Sequence, residues 1–333
     1  MHTSIPPRAS PGRARTVTPA DAPSHLRTPA PSHRLSVVTS GLWHGVGAYV
    51  LWGVLPAYWK LLAHVPALQI VAHRVIWSFV VLVVLHTARR RWRAFVSVVT
   101  GRVAAIYTLA AGLIAINWLV YIWAVVSGYL LQASLGYFIT PLVNVLLGVV
   151  VLRERLRPLQ WTAVALAAAG VLHLTSVYGA TPWIALVLSV TFGLYGLMKN
   201  RAPIGSIDGM TLETGVVVPV AALYLAVGNG DGVGAFGASP ALTQVLLVGG
   251  GPVTLLPLLL FASAARRISL SALGILQYIA PTMQFLLGAF VFAEPFARVQ
   301  LVGYGFVWIG LIVFTVEGRS RRADAPALDE AVG

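Results

Sequence analysis

Cysteine is absent from the 333 residues. No disulfide framework and no thiolate metal site can form, and the redox compartment leaves no mark on the chain. Charge is also scarce: 10% of residues are Asp, Glu, Lys or Arg, against about 25% in a soluble domain. So few charges cannot clothe a surface that faces water. Acids are scarcest, 10 against 23 Lys and Arg. No apolar run holds a pair of carboxylates for acid–base work, no His cluster has metal-ligand spacing, and no Walker-type phosphate loop occurs. The chain is therefore read as a non-enzyme with no cofactor and no metal, and without direct drive from ATP. An intramembrane enzyme would have to be assembled from Glu213 with His73 or Arg74 alone.

What is present is grease: 58% of residues are hydrophobic and the mean hydropathy is +0.82. A membrane-crossing helix needs about 20 mostly apolar residues. Ten runs fit, near 41–59, 66–88, 103–123, 130–152, 159–177, 182–198, 211–227, 242–263, 270–293 and 299–316. Backbone groups in lipid must be bonded internally, so these runs predict helices.

The formal net charge of +13 invites a nucleic-acid reading, which the distribution of charge opposes. Basic residues form short clusters between apolar runs, not one face of a domain. With the N-terminus inside, 20 of the 23 fall on cytoplasmic segments, among them Arg89, Arg90, Arg91, Arg93 and Arg102 after the second run. The outer segments hold only Lys60 and Arg298. This positive-inside pattern predicts ten spans with both termini in the cytoplasm and an inner-membrane location. Lipid is the main partner, and nucleic acid is not one. The sequence is silent on oligomeric state, and a homodimer is compatible with it.

The chain also repeats itself at an offset of 140. Ile139, Pro141, Leu146, Leu147, Gly148, Val151, Glu154, Gln160, Gly170 and Thr175 recur as Ile279, Pro281, Leu286, Leu287, Gly288, Val291, Glu294, Gln300, Gly310 and Thr315. Ten identities in 37 ungapped positions exceed the roughly three expected of unrelated apolar segments, although converged apolar stretches are the plain alternative. Five spans fit into 140 residues, so the second copy enters the membrane from the opposite side. The predicted fold is an all-α integral membrane protein of ten transmembrane helices in a 5+5 inverted-topology repeat, an arrangement suited to alternating access. The halves are 40–178 and 179–317. Residues 1–39, rich in Pro and Arg, read as a disordered cytoplasmic tail, with a transit peptide or an over-called start as alternatives. Residues 318–333 read as a short cytoplasmic C-terminal tail.

Ionisable groups inside spans cost at least about 2.5–3.5 kcal/mol on insertion scales and need a reason. Arg74, about two turns into the second span beside His73, is the one basic residue left there. It reads either as a fixed charge on a central pathway or as a structural arginine, bonded to carbonyls or snorkelling to the interface. Glu213, the repeat mate of His73, reads as the partner of Arg74 or as the carrier of a coupling proton; the bland alternative is an acid favoured by a helix N-terminus. Asn117, Trp118, Gln132, Ser134, Tyr137, Gln277 and Tyr278 are candidate solute contacts, set against interhelical bonding for the amides and an interfacial belt for the aromatics. Pro141 and Pro281 read as hinges or as packing kinks.

The runs Trp52-Gly53-Val54-Leu55-Pro56-Ala57-Tyr58, His73-Arg74-Val75-Ile76-Trp77-Ser78, Ala133-Ser134-Leu135-Gly136-Tyr137-Phe138-Ile139 and Gln277-Tyr278-Ile279-Ala280-Pro281-Thr282 resemble RarD-like chains of the EamA family, in the drug/metabolite transporter superfamily. The resemblance covers about residues 40–317. It implies ten helices from a five-plus-five duplication, a central cavity with the fifth and tenth spans peripheral, and a permease for small organic solutes. RarD-like chains usually carry Glu where Gln69 and Gln132 stand, and Asn where Thr140 stands. These departures leave Glu213 as the candidate proton site. The expected function is secondary transport of a small organic metabolite or drug-like solute by alternating access; the alternative is a non-transporting membrane-embedded assembly or sensory protein.

Overall fold

A computed structural model describes residues 31–153, 156–178, 182–201, 204–230, 236–237, 239–265, 267–268, 273 and 276–324. Glu154, most of the N-terminal tail and the end of the C-terminal tail lie outside them. The described residues form helices and no strands: α1 Pro31–Lys60, α2 Ala67–Ala88, α3 Trp92–Val98, α4 Gly101–Ser127, α5 Leu130–Leu152, α6 Pro158–Tyr178, α7 Trp183–Arg201, α8 Ser206–Gly230, α9 Ala241–Ala265, α10 Ile279–Leu286 and α11 Gln300–Asp324. A π-helical turn, Leu287–Val291, continues α10.

Seven of these helices, α2, α4, α5, α6, α8, α9 and α11, are long and apolar enough to cross a membrane. The ten equal spans read from the sequence are not matched one for one. The apolar parts of α7 and of α10 with its π turn are shorter than a full span. The run read as one helix over 270–293 is interrupted, since Gln277 and Tyr278 lie in a turn. Pro281 explains where the helix resumes: it is the third residue of α10, where a missing N–H costs nothing. Helix α1 starts at Pro31, inside the segment read as tail, and α11 runs on to Asp324.

Local chemistry sets several ends. Thr100 caps α4 by accepting a hydrogen bond from the Val103 N–H at 3.3 Å, and Gly128 closes the helix in the left-handed region at φ 81°. Tyr129 gives α5 no side-chain cap. Glu294 supplies one from far along the chain: its Oε1 and Oε2 accept from the N–H groups of Leu130 and Leu131 at 2.7 and 2.9 Å.

The helices correspond at the 140-residue offset. Shifted by 140, α2, α4 and α6 fall on α8, α9 and α11, and residues 41–60 of α1 fall on α7. The packing corresponds as well. A Cβ on Gly170 would meet the Gly303 carbonyl oxygen at 2.6 Å, and one on Gly310 would meet that of Ala163 at 2.8 Å; Gly303 and Ala163 are themselves repeat mates. Gly53 of α1 faces Met283 of α10, while Gly193 of α7 faces Val143 of α5, again mate for mate. Gln160 accepts from the Arg157 N–H at 3.1 Å and Gln300 from the Ala297 N–H at 2.9 Å.

Among the described residues, two large apolar clusters hold most of the buried interior, with two smaller ones beside them. One gathers Trp59, Val75, Tyr121, Ile122, Leu188 and Leu247, from α1, α2, α4, α7 and α9. The other gathers Leu135, Phe138, Leu174, Phe285, Tyr304 and Val307, from α5, α6, α10 and α11. Outside them, Val150, Leu172, Leu223, Phe290 and Ile312 are exposed, an apolar outer surface of the kind lipid covers.

Candidate functional site

Arg74 lies in the first cluster and is 7% exposed, which rules out a side chain reaching for the interface. Its Nε donates to Thr254 Oγ1 on α9 at 2.8 Å. Thr254 passes its own proton to the Gly250 carbonyl at 2.7 Å, so its hydroxyl presents a lone pair to the guanidinium. The guanidinium carbon lies 4.1 Å from the Trp118 ring centroid and 5.3 Å from that of Trp59, both within cation–π range. Nη1 has no hydrogen-bond partner among the described residues, and no carboxylate among them pairs with Arg74 within 4.0 Å.

Helix α9 comes this close to α2 because it carries Gly250 and Gly251. A Cβ on Gly251 would lie 2.5 Å from the Trp77 carbonyl carbon and 2.7 Å from the Ser78 nitrogen. Only glycine permits backbone contact at that distance.

Glu213 on α8 is 2% exposed and accepts from the Tyr195 hydroxyl at 3.0 Å. It does not pair with Arg74, as the sequence reading allowed. The two meet through Trp118, which touches Arg74 and also lines a cleft with Val75, Ile114, Ala115, Glu213, Thr214 and Val217. The cleft is small, about 10 Å³ in volume, room for one water. Its origin is legible in the repeat: Thr214 is the mate of Arg74, and Ile114 the mate of Thr254. Where one half places an arginine bonded to a hydroxyl, the other places two shorter side chains that leave a gap.

The remaining candidates divide. Asn117 donates to the Leu188 carbonyl and to Thr191 Oγ1, each at 2.9 Å, and accepts from the Tyr137 hydroxyl at 3.3 Å. Both its N–H groups are used, so it ties α4 to α7 and holds Tyr137. Tyr137 packs on the same cluster as Trp118, edge-on to Tyr121 at 5.6 Å. His73 is buried with its ring 5.0 Å from Phe236. Ser134 donates to the Leu131 carbonyl of its own helix at 2.7 Å. Gln132 is half-buried in the first turn of α5, and Gln277 is half-buried in the turn before α10. Tyr278 packs on the second cluster. Pro141 lies inside α5, which runs through it unbroken to Leu152.

Sequence reasoning missed Trp59, Thr254, Tyr195 and the capping role of Glu294. Thr254 follows the triple glycine, which signals close approach. Glu294 is one of the residues kept in both copies of the repeat.

Residues 39–176 match the EamA-like transporter family. An uncharacterized transporter, YojE, of Bacillus subtilis is 45% identical over 280 residues, covering 83% of this chain and 93% of that one. Protein RarD of Escherichia coli is 42% identical over 278 residues, covering 83% and 94%. One solved crystal structure is alike in fold, with a TM-score of 0.52 at 19% identity, over 84% of this chain and 99% of that chain.

Proposed function

Because the chain belongs to the EamA-like transporter family and is a multi-pass membrane transporter, we propose that it is a secondary carrier. It moves a small organic solute by alternating access between two inverted five-helix halves, 40–178 and 179–317. The mate-for-mate contacts of Gly170 with Gly303 and of Gly310 with Ala163 support the inverted 5+5 arrangement. The positive-inside charge pattern supports an inner-membrane location with both termini in the cytoplasm. In that orientation two contacts join the halves on the outer side. Glu294 of the second half caps α5 of the first, and Lys60 donates to the Val125 carbonyl at 3.3 Å while lying 5.5 Å from the Phe292 ring.

The observation that carries the reading is Arg74. A buried cation with no counter-ion among the described residues is costly unless something else visits it. This one is held by Thr254 of one half and by Trp118 of the other, at a joint that relative motion of the halves would open. Arg74 and Trp118 contact the solute, with Trp59 behind them. Glu213 is the partner group on the adjoining wall and the carrier of any coupling proton. Asn117 and Tyr137 hold the first half's contribution in place.

The test is metabolite profiling of cells with and without the gene, followed by proteoliposome transport of the solute that changes. Arg74→Ala is expected to lower transport at least about ten-fold, the loss of one charge-assisted contact. Unchanged transport would remove Arg74 from the pathway.

A further inference from the structure

We infer that the solute is an organic monoanion, a carboxylate with a small apolar or aromatic body, bound with its charge on Arg74 and its body along Trp118. The inference rests on the carrier reading and gives its substrate class. Nη1 of Arg74 is buried and lacks a partner among the described residues, while Nε is already committed to Thr254. The guanidinium is thus oriented, with donors to spare, and a planar fork of this kind matches a carboxylate.

The charge balance selects the number of charges. Arg74 is the one Lys or Arg inside the apolar spans, and Glu213 lines the cleft that Trp118 shares. Arg74 matches a single negative charge; the second charge of a phosphate ester would find no further Lys or Arg within the apolar spans. The rest of the wall selects the body. Val75, Ile114, Ala115 and Val217 offer the cleft no hydrogen bond, and the Trp118 ring offers a stacking face. The cavity beside Trp118 is about 10 Å³ as it stands, room for one water, so the body is taken up where the halves part at Trp118 and Arg74.

The experiment uses the purified full-length protein in detergent and reads binding as a thermal shift with three probes: phenylacetate, phenylacetamide and phenyl phosphate. Phenylacetate is expected to stabilise the protein at concentrations at least about ten-fold lower than the other two. Arg74→Gln is expected to abolish the preference, and Arg74→Lys to keep part of it. Equal response to the acid and the amide, no response to the acid, or an undiminished acid response in Arg74→Gln each overturns the inference. The acid–amide comparison needs no variant, so it decides even if Arg74→Gln fails to fold. Proteoliposome transport of the profiled solute reads the carrier role separately. A neutral or cationic solute carried through Arg74-dependent transport sinks the monoanion class and spares the carrier; a bound acid with no solute carried does the reverse.

Discussion

At Thr254 a single hydroxyl proton decides the orientation of the one intramembrane arginine. The hydroxyl gives its proton to Gly250 and its lone pair to Arg74 Nε. Thr254→Val keeps the shape and removes both roles, leaving a charged donor buried without an acceptor. The expected cost is about 1–3 kcal/mol, seen as a lower thermal midpoint, whereas Thr254→Ser retains the bond and the midpoint. A midpoint for Thr254→Val equal to the parent's would mean that Arg74 finds another acceptor. Glycine gives a sharper contrast. Gly251→Ala drives a Cβ into the backbone of Trp77 and Ser78, while Gly112→Ala meets nothing within 4 Å. Gly251→Ala is expected to destabilise by about 1–3 kcal/mol or more and Gly112→Ala to be neutral or mildly stabilising; chemical denaturation in mixed micelles compares them. Arg74 was legible in the sequence because a charge among apolar neighbours stands out. Thr254 was not, because its partner lies 180 residues away and a threonine in a membrane helix usually bonds its own backbone. Asn117 was read as a solute contact, and its amide is instead committed to α7.

Among the elements, α5 is the one whose start depends on another part of the chain. Glu294 stands in for the missing local cap and, as an anion at a helix N-terminus, also meets the positive end of the helix dipole. Glu294→Gln leaves one acceptor and no charge. A loss of about 0.5–2 kcal/mol is expected, with faster hydrogen exchange at Leu130 and Leu131 than elsewhere in α5. Uniform exchange along α5 would show that the cap is dispensable. The sequence marked Glu294 as a kept residue but placed it in a loop, since capping by a carboxylate 164 residues away leaves no local signature. Helix periods were readable for the long runs. The turn at Gln277 and Tyr278 was not, because apolar content alone does not distinguish a helix from a broken one.

For the whole molecule, the ten identities at an offset of 140 were the most readable property, and several contacts join residues related by the same offset. The number of spans was less readable, because among the described residues seven helices combine full length with apolarity and the others do not. Topology itself is open to a direct test, since a chain without cysteine needs no background removal. Arg298→Cys is expected to react with an impermeant maleimide on intact cells, and Arg93→Cys only after the membrane is opened. Reaction of both from one side would end the inverted-repeat reading.

The seam between α6 and α11 has one further property. Exchanging the two halves sends the contact of Gly170 with Gly303 onto that of Gly310 with Ala163, and so returns the seam to itself. In a machine that works by letting its halves trade conformations, most contacts must be made and broken on each stroke. In the proposed alternating-access cycle a seam that the exchange returns to itself can stay made, and can act as the fixed bearing against which the other helices swing.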